Sequence, residues 1–237
     1  MAKKVVFSNQ SIIQSRERGI ANRAKIMHFI SRIVKVNLLK TFLMMFRFSG
    51  NHISSFIIGW NTIVRLKKTA VISVCPEGRL TIGMNEVNGK KTIILLDHYA
   101  NFHISGKVSV FNGCKVSVGE NATLSIGDNT YINESSRITA VERITIGDSC
   151  AISWDVTIID SDMHSIIEDS KPKIHTAPIS IGNKVWIGAN VLILKGVTIG
   201  DNVVIAAGTL VNRDIPDNSL VMGNPMKIVK SSIQWEL

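Results

Sequence analysis

The sequence predicts an all-β solenoid, a parallel β-helix of hexapeptide repeats preceded by a helical segment. Three observations carry that expectation. Isoleucine recurs every six residues at Ile181, Ile187, Ile193, Ile199 and Ile205. Four residues after each stands Val185, Val191, Val197, Val203 or Thr209. Gly182, Gly188 and Gly200 directly follow three of the isoleucines. An α-helix turns once in about 3.6 residues and would smear a six-residue period around its cylinder, whereas short strands joined by tight corners keep it.

Taken in order, residues 1–50 read as a basic helical segment. Residues 1–19 are polar and mixed. Over residues 20–48, Ile26, Phe29, Ile30, Ile33, Val34 and the apolar positions of 36–48 recur at helical spacing, with Arg23, Lys25, Arg32, Lys35 and Lys40 between them. Ser49-Gly50-Asn51 ends that pattern. From Arg18 to Pro76 there are ten Lys or Arg and no Asp or Glu; with Lys3, Lys4, Arg16 and Glu17, residues 1–76 carry +12 and the rest of the chain −3, for a formal net charge of +9. Two readings of the helix stand side by side. It closes the open N-terminal end of the solenoid, as terminal caps must, or it offers a basic amphipathic surface to an anionic membrane or polymer. The first is favoured. No nucleic-acid-binding module is present, so no nucleic-acid partner is expected.

Residues 51–215 read as the β-helix and residues 216–237 as a C-terminal tail. Strand patterns begin near Phe56, Leu80-Thr-Ile82-Gly83 marks the first clear corner, and Asn88-Gly89 marks a tight turn. The period is looser before residue 124, and it slips by two at Ile144/Ile146 before running through Ile152 and Ile158. It should then return at residue 164. It returns at Ile181, and residues 160–178 form a polar, proline-punctuated excursion, the place in a regular solenoid where function is expected.

Cys75, Cys114 and Cys150 have no zinc or disulfide spacing. Cys150 falls on the same repeat position as Val185 and is expected in the core. A reducing, cytoplasmic setting is expected, at most at the inner face of a membrane. The first 15 residues lack a signal-peptide pattern, and no run of about 20 apolar residues occurs.

His164 stands at the mouth of the excursion with Asp160 and Asp162 just before it. An imidazole takes a proton from a hydroxyl near neutral pH, and a neighbouring carboxylate can fix its tautomer. A solvated loop histidine is the plainer alternative. A metal site, as in the γ-type carbonic anhydrases built on a related solenoid, is weakly supported: His164 and His175 share one loop, His98 and His103 lie coils away, and no third ligand is placed. Nucleophile-elbow, Walker and dinucleotide-binding patterns are absent. Direct acyl transfer with a histidine base fits the residues present.

Asp160-Ser-Asp-Met-His164, then Ile181-Gly-Asn-Lys-Val-Trp186-Ile-Gly188, Gly196-Val-Thr-Ile-Gly-Asp-Asn202, Arg213-Asp-Ile-Pro216 and Gly223-Asn-Pro225, resembles the hexapeptide-repeat O-acetyltransferases. Among these it is most similar to the bacterial surface-polysaccharide members. The resemblance is strong over residues 124–230. It implies a left-handed β-helix, a homotrimer, and acetyl-CoA sites in the clefts between neighbouring solenoids, with no metal. It implies that His164 deprotonates a sugar hydroxyl of a capsular or other surface polysaccharide, or of its precursor. Trp186 matches the tryptophan lining the acceptor and pantetheine region. Ala189 and Ala207 match small residues whose backbone meets the pantetheine arm. Arg213, Lys227 and Lys230 match basic residues near the CoA phosphates. Where galactoside-type members hold the acceptor with asparagine, this chain has Ser135, with Asn133 two residues earlier, and a family threonine reads Asn212. An N-acetyltransferase acting on an amino sugar nucleotide is the second reading; such enzymes usually carry a further nucleotide-binding domain.

Overall fold

The computed structural model describes residues 36–48, 55–84 and 89–236. Residues 37–237 form one compact unit. Three sheets, parallel but for the last strand of the first, make the faces of a triangular coil. The first face has nine strands, beginning at Phe56–Ile58; the second has seven, from Thr62–Leu66 to Leu210–Val211; the third has six, from Val71–Val74 to Thr198–Ile199. The chain visits the faces in that order, coil after coil.

Alternation along each strand explains the core. In Thr123–Ile126, Leu124 and Ile126 are buried while Thr123 and Ser125 face outward. Register then stacks like on like: Phe102, Leu124, Ile144 and Ile179 stand opposite one another in successive coils of the third face, and all four are buried. Each such side chain contributes roughly 1.5–3 kcal/mol of burial. The slip between Ile144 and Ile146 therefore needs no broken frame, because both residues point inward from one strand.

Coil length explains why the six-residue period shows only late. Ser109 pairs with Tyr131 and Tyr131 with Ala151, coils of 22 and 20 residues. Trp186 pairs with Val204, a coil of 18. Only 18 divides into three sixes. Most strands of the earlier coils have four or five residues, where those of the later ones have two or three.

The corner between the third and first faces explains the glycines. There the Asp128 carboxylate accepts from the Lys107 amide at 2.6 Å, Asp148 from Asp128 at 2.6 Å, the Asn183 side chain from Asp148 at 2.9 Å, Asp201 from Asn183 at 2.6 Å, and Asp217 from Asp201 at 2.8 Å. A Cβ on Gly106 would stand 2.0 Å from Asp128 Oδ1, and one on Gly200 2.1 Å from Asp217 Oδ1. Close approach of the side chain above is what excludes a larger residue there.

The helix expected over 20–48 is described from Leu38 to Phe48 (α1). Asn37 starts it, its side chain accepting from the Lys40 amide at 3.0 Å, so no continuous helix runs through Asn37. Residues 1–35 lie outside the described residues, as do Ser49-Gly50-Asn51 and, but for Gly89, the turn at Asn88-Gly89. Helix α1 closes the first coil. Met44 is buried, Met45 and Phe48 pack on the core, and the Thr41 hydroxyl accepts from the Ile58 amide at 3.0 Å. At the other end the coil runs past residue 215. Ser219–Met222 pairs parallel with Val204–Ile205 because Val221 still fills the core, and Lys227–Ser231 folds back on it antiparallel.

Candidate active site

The excursion leaves from the corner between the second and third faces. Asp160 is fully buried there. Its carboxylate accepts from the amides of Val141 (2.7 Å), Glu142 (2.9 Å) and Arg143 (2.7 Å) in the coil before. Both oxygens are occupied by main-chain donors, so Asp160 holds the corner and is turned away from any acceptor. The neck is zipped shut: the Ala177 amide donates to the Asp160 carbonyl at 3.0 Å and the Asp162 amide to the His175 carbonyl at 2.8 Å. Beyond it Ile167–Glu168 and Lys171–Pro172 form a small hairpin.

Met163 turns the chain at the neck with φ +63°, its amide donating to Ser161 Oγ at 2.9 Å. His164 follows, exposed to solvent and without a hydrogen-bond partner among the described residues of its own chain. Asp162 is paired with Lys195 at 2.5 Å, and Lys195 also donates to the Ile174 carbonyl at 2.9 Å. This half-exposed pair ties both limbs of the excursion to the next coil, an effect on orientation more than on stability. His175 Nδ1 lies 3.2 Å from Ser165 Oγ. Among the described residues, no group of three or more His, Cys, Asp or Glu could hold a metal.

The remaining candidates lie elsewhere. Asn133 and Ser135 stand on the corner between the first and second faces, with Ala189 and Ala207 on later turns of that corner; Gly208 donates to the Ala189 carbonyl at 2.8 Å. Ser135 adopts φ +61° and its hydroxyl accepts from Lys90 Nζ at 2.9 Å. Between these coils Trp154 is 56% exposed on the same corner. Trp186 sits on the first face, its ring centroid 6.0 Å from that of Trp235, whose indole donates to the Lys184 carbonyl at 2.8 Å. The Arg213 guanidinium donates to the Met226 carbonyl, which draws the exposed Lys227 towards it, with Lys230 on the same strand.

Sequence reasoning missed Lys90, Trp154, Lys195 and Trp235. An outward residue leaves no mark on the core period, and the Trp186–Trp235 contact spans the C-terminal tail. A tryptophan at an outward corner position of a repeat whose core is mainly Ile, Val and Leu is the signal that could have found Trp154.

An apolar groove of about 460 Å³ runs along the corner between the second and third faces, from Leu66 and Lys67 past Val118 and Ala140 to Met163.

The family profile described as bacterial transferase hexapeptide (six repeats) matches residues 178–213. The galactoside O-acetyltransferase of Escherichia coli strain K12 is 33% identical over 169 residues, 65% of this chain and 79% of the relative. The chain belongs to the hexapeptide-repeat O-acetyltransferase family. The polysialic acid O-acetyltransferase of Escherichia coli O1:K1 / APEC is 36% identical over 139 residues, 58% of this chain and 43% of the relative. The crystal structure of the polySia-specific acetyltransferase NeuO superposes with a TM-score of 0.53 at 26% identity, covering 75% of this chain and 89% of that one. The fold of this hexapeptide-repeat acetyltransferase is accordingly a left-handed parallel β-helix. It is an acyltransferase that uses acetyl-CoA.

The residues present suit that cosubstrate. Ala189 and Ala207 are small residues on successive turns of one corner, and Arg213, Lys227 and Lys230 place positive charge at the C-terminal end, the kind of groups a thioester arm and a polyphosphate call for.

Proposed function

We propose that this protein transfers acetyl from acetyl-CoA to a sugar hydroxyl of a bacterial surface polysaccharide or its precursor, as a homotrimer with one site in each cleft between neighbouring solenoids. The observation that carries the reading is the division of the candidate groups between two corners. His164 and Asp162 stand on one, Ser135, Trp154, Ala189 and Ala207 on another. A four-residue strand such as Arg137–Ala140 keeps them roughly 13 Å apart. A neighbouring copy that sets its own corner against the excursion unites the two sets. The excursion's bare apolar residues support this, since Ile166, Ile167 and Ile174 are 62%, 65% and 80% exposed. The polysaccharide acceptor is supported by the likeness to the polysialic acid O-acetyltransferase.

Acetyl-CoA supplies an acetyl group activated as a thioester. A ring nitrogen of His164 accepts the proton of the acceptor hydroxyl as its oxygen forms the new ester bond, and returns it to the departing thiolate. Asp162, held by Lys195, fixes the start of the segment that carries the imidazole. Ser135 and Trp154 meet the acceptor, the indole stacking on an apolar sugar face. Trp186, Ala189 and Ala207 line the path of the pantetheine arm, and Arg213, Lys227 and Lys230 meet the phosphates.

The test is thiol release from acetyl-CoA in the presence of capsular and lipopolysaccharide glycans. His164→Ala is expected to lower kcat at least about 100-fold, the size of a lost general base, with the oligomer unchanged by light scattering. Unchanged turnover would remove His164 from the chemistry.

A further inference from the structure

Helix α1 has two apolar faces. At about 100° per residue, Thr41, Met44, Met45 and Phe48 fall within an arc of about 100° turned to the first coil. Leu38, Leu39, Phe42, Leu43 and Phe46 fall within an arc of about 140° on the other side. Closing the solenoid uses only the first. The second leaves its five large side chains between 56% and 84% exposed. A cap requires no such face; an apolar surface of this size on one helix calls for an occupant.

Charge decides which occupant. Lys40 and Arg47 lie in the gap between the two arcs. The Arg47 guanidinium donates to the Lys67 carbonyl at 3.0 Å, which sets the end of the helix beside Arg65, Lys67 and Lys68. No Asp or Glu occurs from Arg18 to Pro76. A second copy meeting face to face would bring two acid-free cationic rims together, and like charges at contact are repelled. Residues 1–35 share the sign of that charge, with eight Lys or Arg against the single acid Glu17. An anionic lipid surface satisfies both halves of the pattern, taking the apolar arc among its acyl chains and the cations among its headgroups.

The same end of the molecule opens towards the site. Arg65, Leu66 and Lys67 form one end of the apolar groove whose other end is Met163, the neighbour of His164. Four coil steps separate them, roughly 19 Å at about 4.8 Å each.

We propose that the outward face of α1 seats this protein on an anionic membrane surface, with the groove that leads to His164 opening at that surface. The inference stands apart from the acetyl-transfer reading, and its test does not use turnover. Purified full-length protein is sedimented with vesicles of phosphatidylcholine alone and of phosphatidylcholine mixed with phosphatidylglycerol. Binding to the mixed vesicles that falls with added salt is expected. The double variant Phe42→Ser/Phe46→Ser, altered only at exposed positions, should bind at least about tenfold more weakly with its thermal midpoint and oligomeric state unchanged. Equal binding to both vesicle types, no binding to either, or a variant that binds as well as the parent overturns the proposal. A polarity-sensitive fluorophore on Phe46→Cys in a Cys75→Ser background separates the other occupants. Emission that shifts to the blue only on the mixed vesicles supports the lipid surface. Emission already blue-shifted without vesicles overturns it, because the face is then covered by the chain itself or by another copy.

Discussion

Asp160 and His164 are four positions apart and have opposite fates. The carboxylate is buried with three amide donors; the imidazole is exposed with no described partner. Burial also separates the cysteines. Loss of water pushes the Cys114 thiol up to about 12 and the Cys150 thiol up to about 11, from an ordinary 9.0. Both stay protonated and unreactive in the fold, whereas Cys75 is only half-buried. Native protein treated with a thiol reagent is expected to label at Cys75 alone. The same shifts fix a pH dependence. The folded thiols hold their protons above the unfolded value, so their contribution is whole below about pH 9 and is lost as the pH rises towards 11 and 12. Thermal midpoints across that window should fall less steeply for Cys114→Ala than for the parent; an identical slope would count against buried Cys114 as a source of the decline.

Among the elements, the corners are as specific as the core. Removing the Asp160 side chain leaves three corner amides without their acceptor. Asp160→Ala should destabilise by at least about 3 kcal/mol in urea unfolding, while the exposed Asp162→Ala should shift stability by under about 1 kcal/mol. Near-equal effects would contradict the difference in their surroundings. Much of this scaffold was legible in the sequence. The later coils announced themselves because 18 residues make three equal sides, and that regularity exposed the excursion and with it His164. The earlier coils did not, because 20 and 22 residues spread the inward positions over unequal strands. Asp160 read as a possible partner of His164 since a carboxylate beside a histidine in sequence looks alike whether it faces the histidine or the backbone. The described start of α1 turned on one side chain, Asn37, lying within an otherwise helical run.

For the whole molecule, two corners that do not meet within a chain make a prediction about mixing. His164→Ala removes the base from one corner. Trp154→Ala strips the acceptor contact from another. Each variant alone should be strongly impaired. Co-expressed, they should form mixed assemblies in which some clefts pair an intact excursion with an intact opposing corner, restoring thiol release above either parent variant. Activity that never exceeds the variants expressed separately would favour a site complete within one chain.

The closed neck of the excursion has a consequence for how such molecules diversify. Chain enters and leaves through one corner, fastened by Asp160 below and by main-chain bonds across the neck, and the third face resumes at Ile179 in register with Ile144. Inserted length is therefore invisible to the stack, and doubling a loop costs only about 0.6 kcal/mol in closure entropy. The excursion behaves as an exchangeable cassette. A transplant between its fastened ends could redirect the molecule to a different sugar while leaving every coil unaltered.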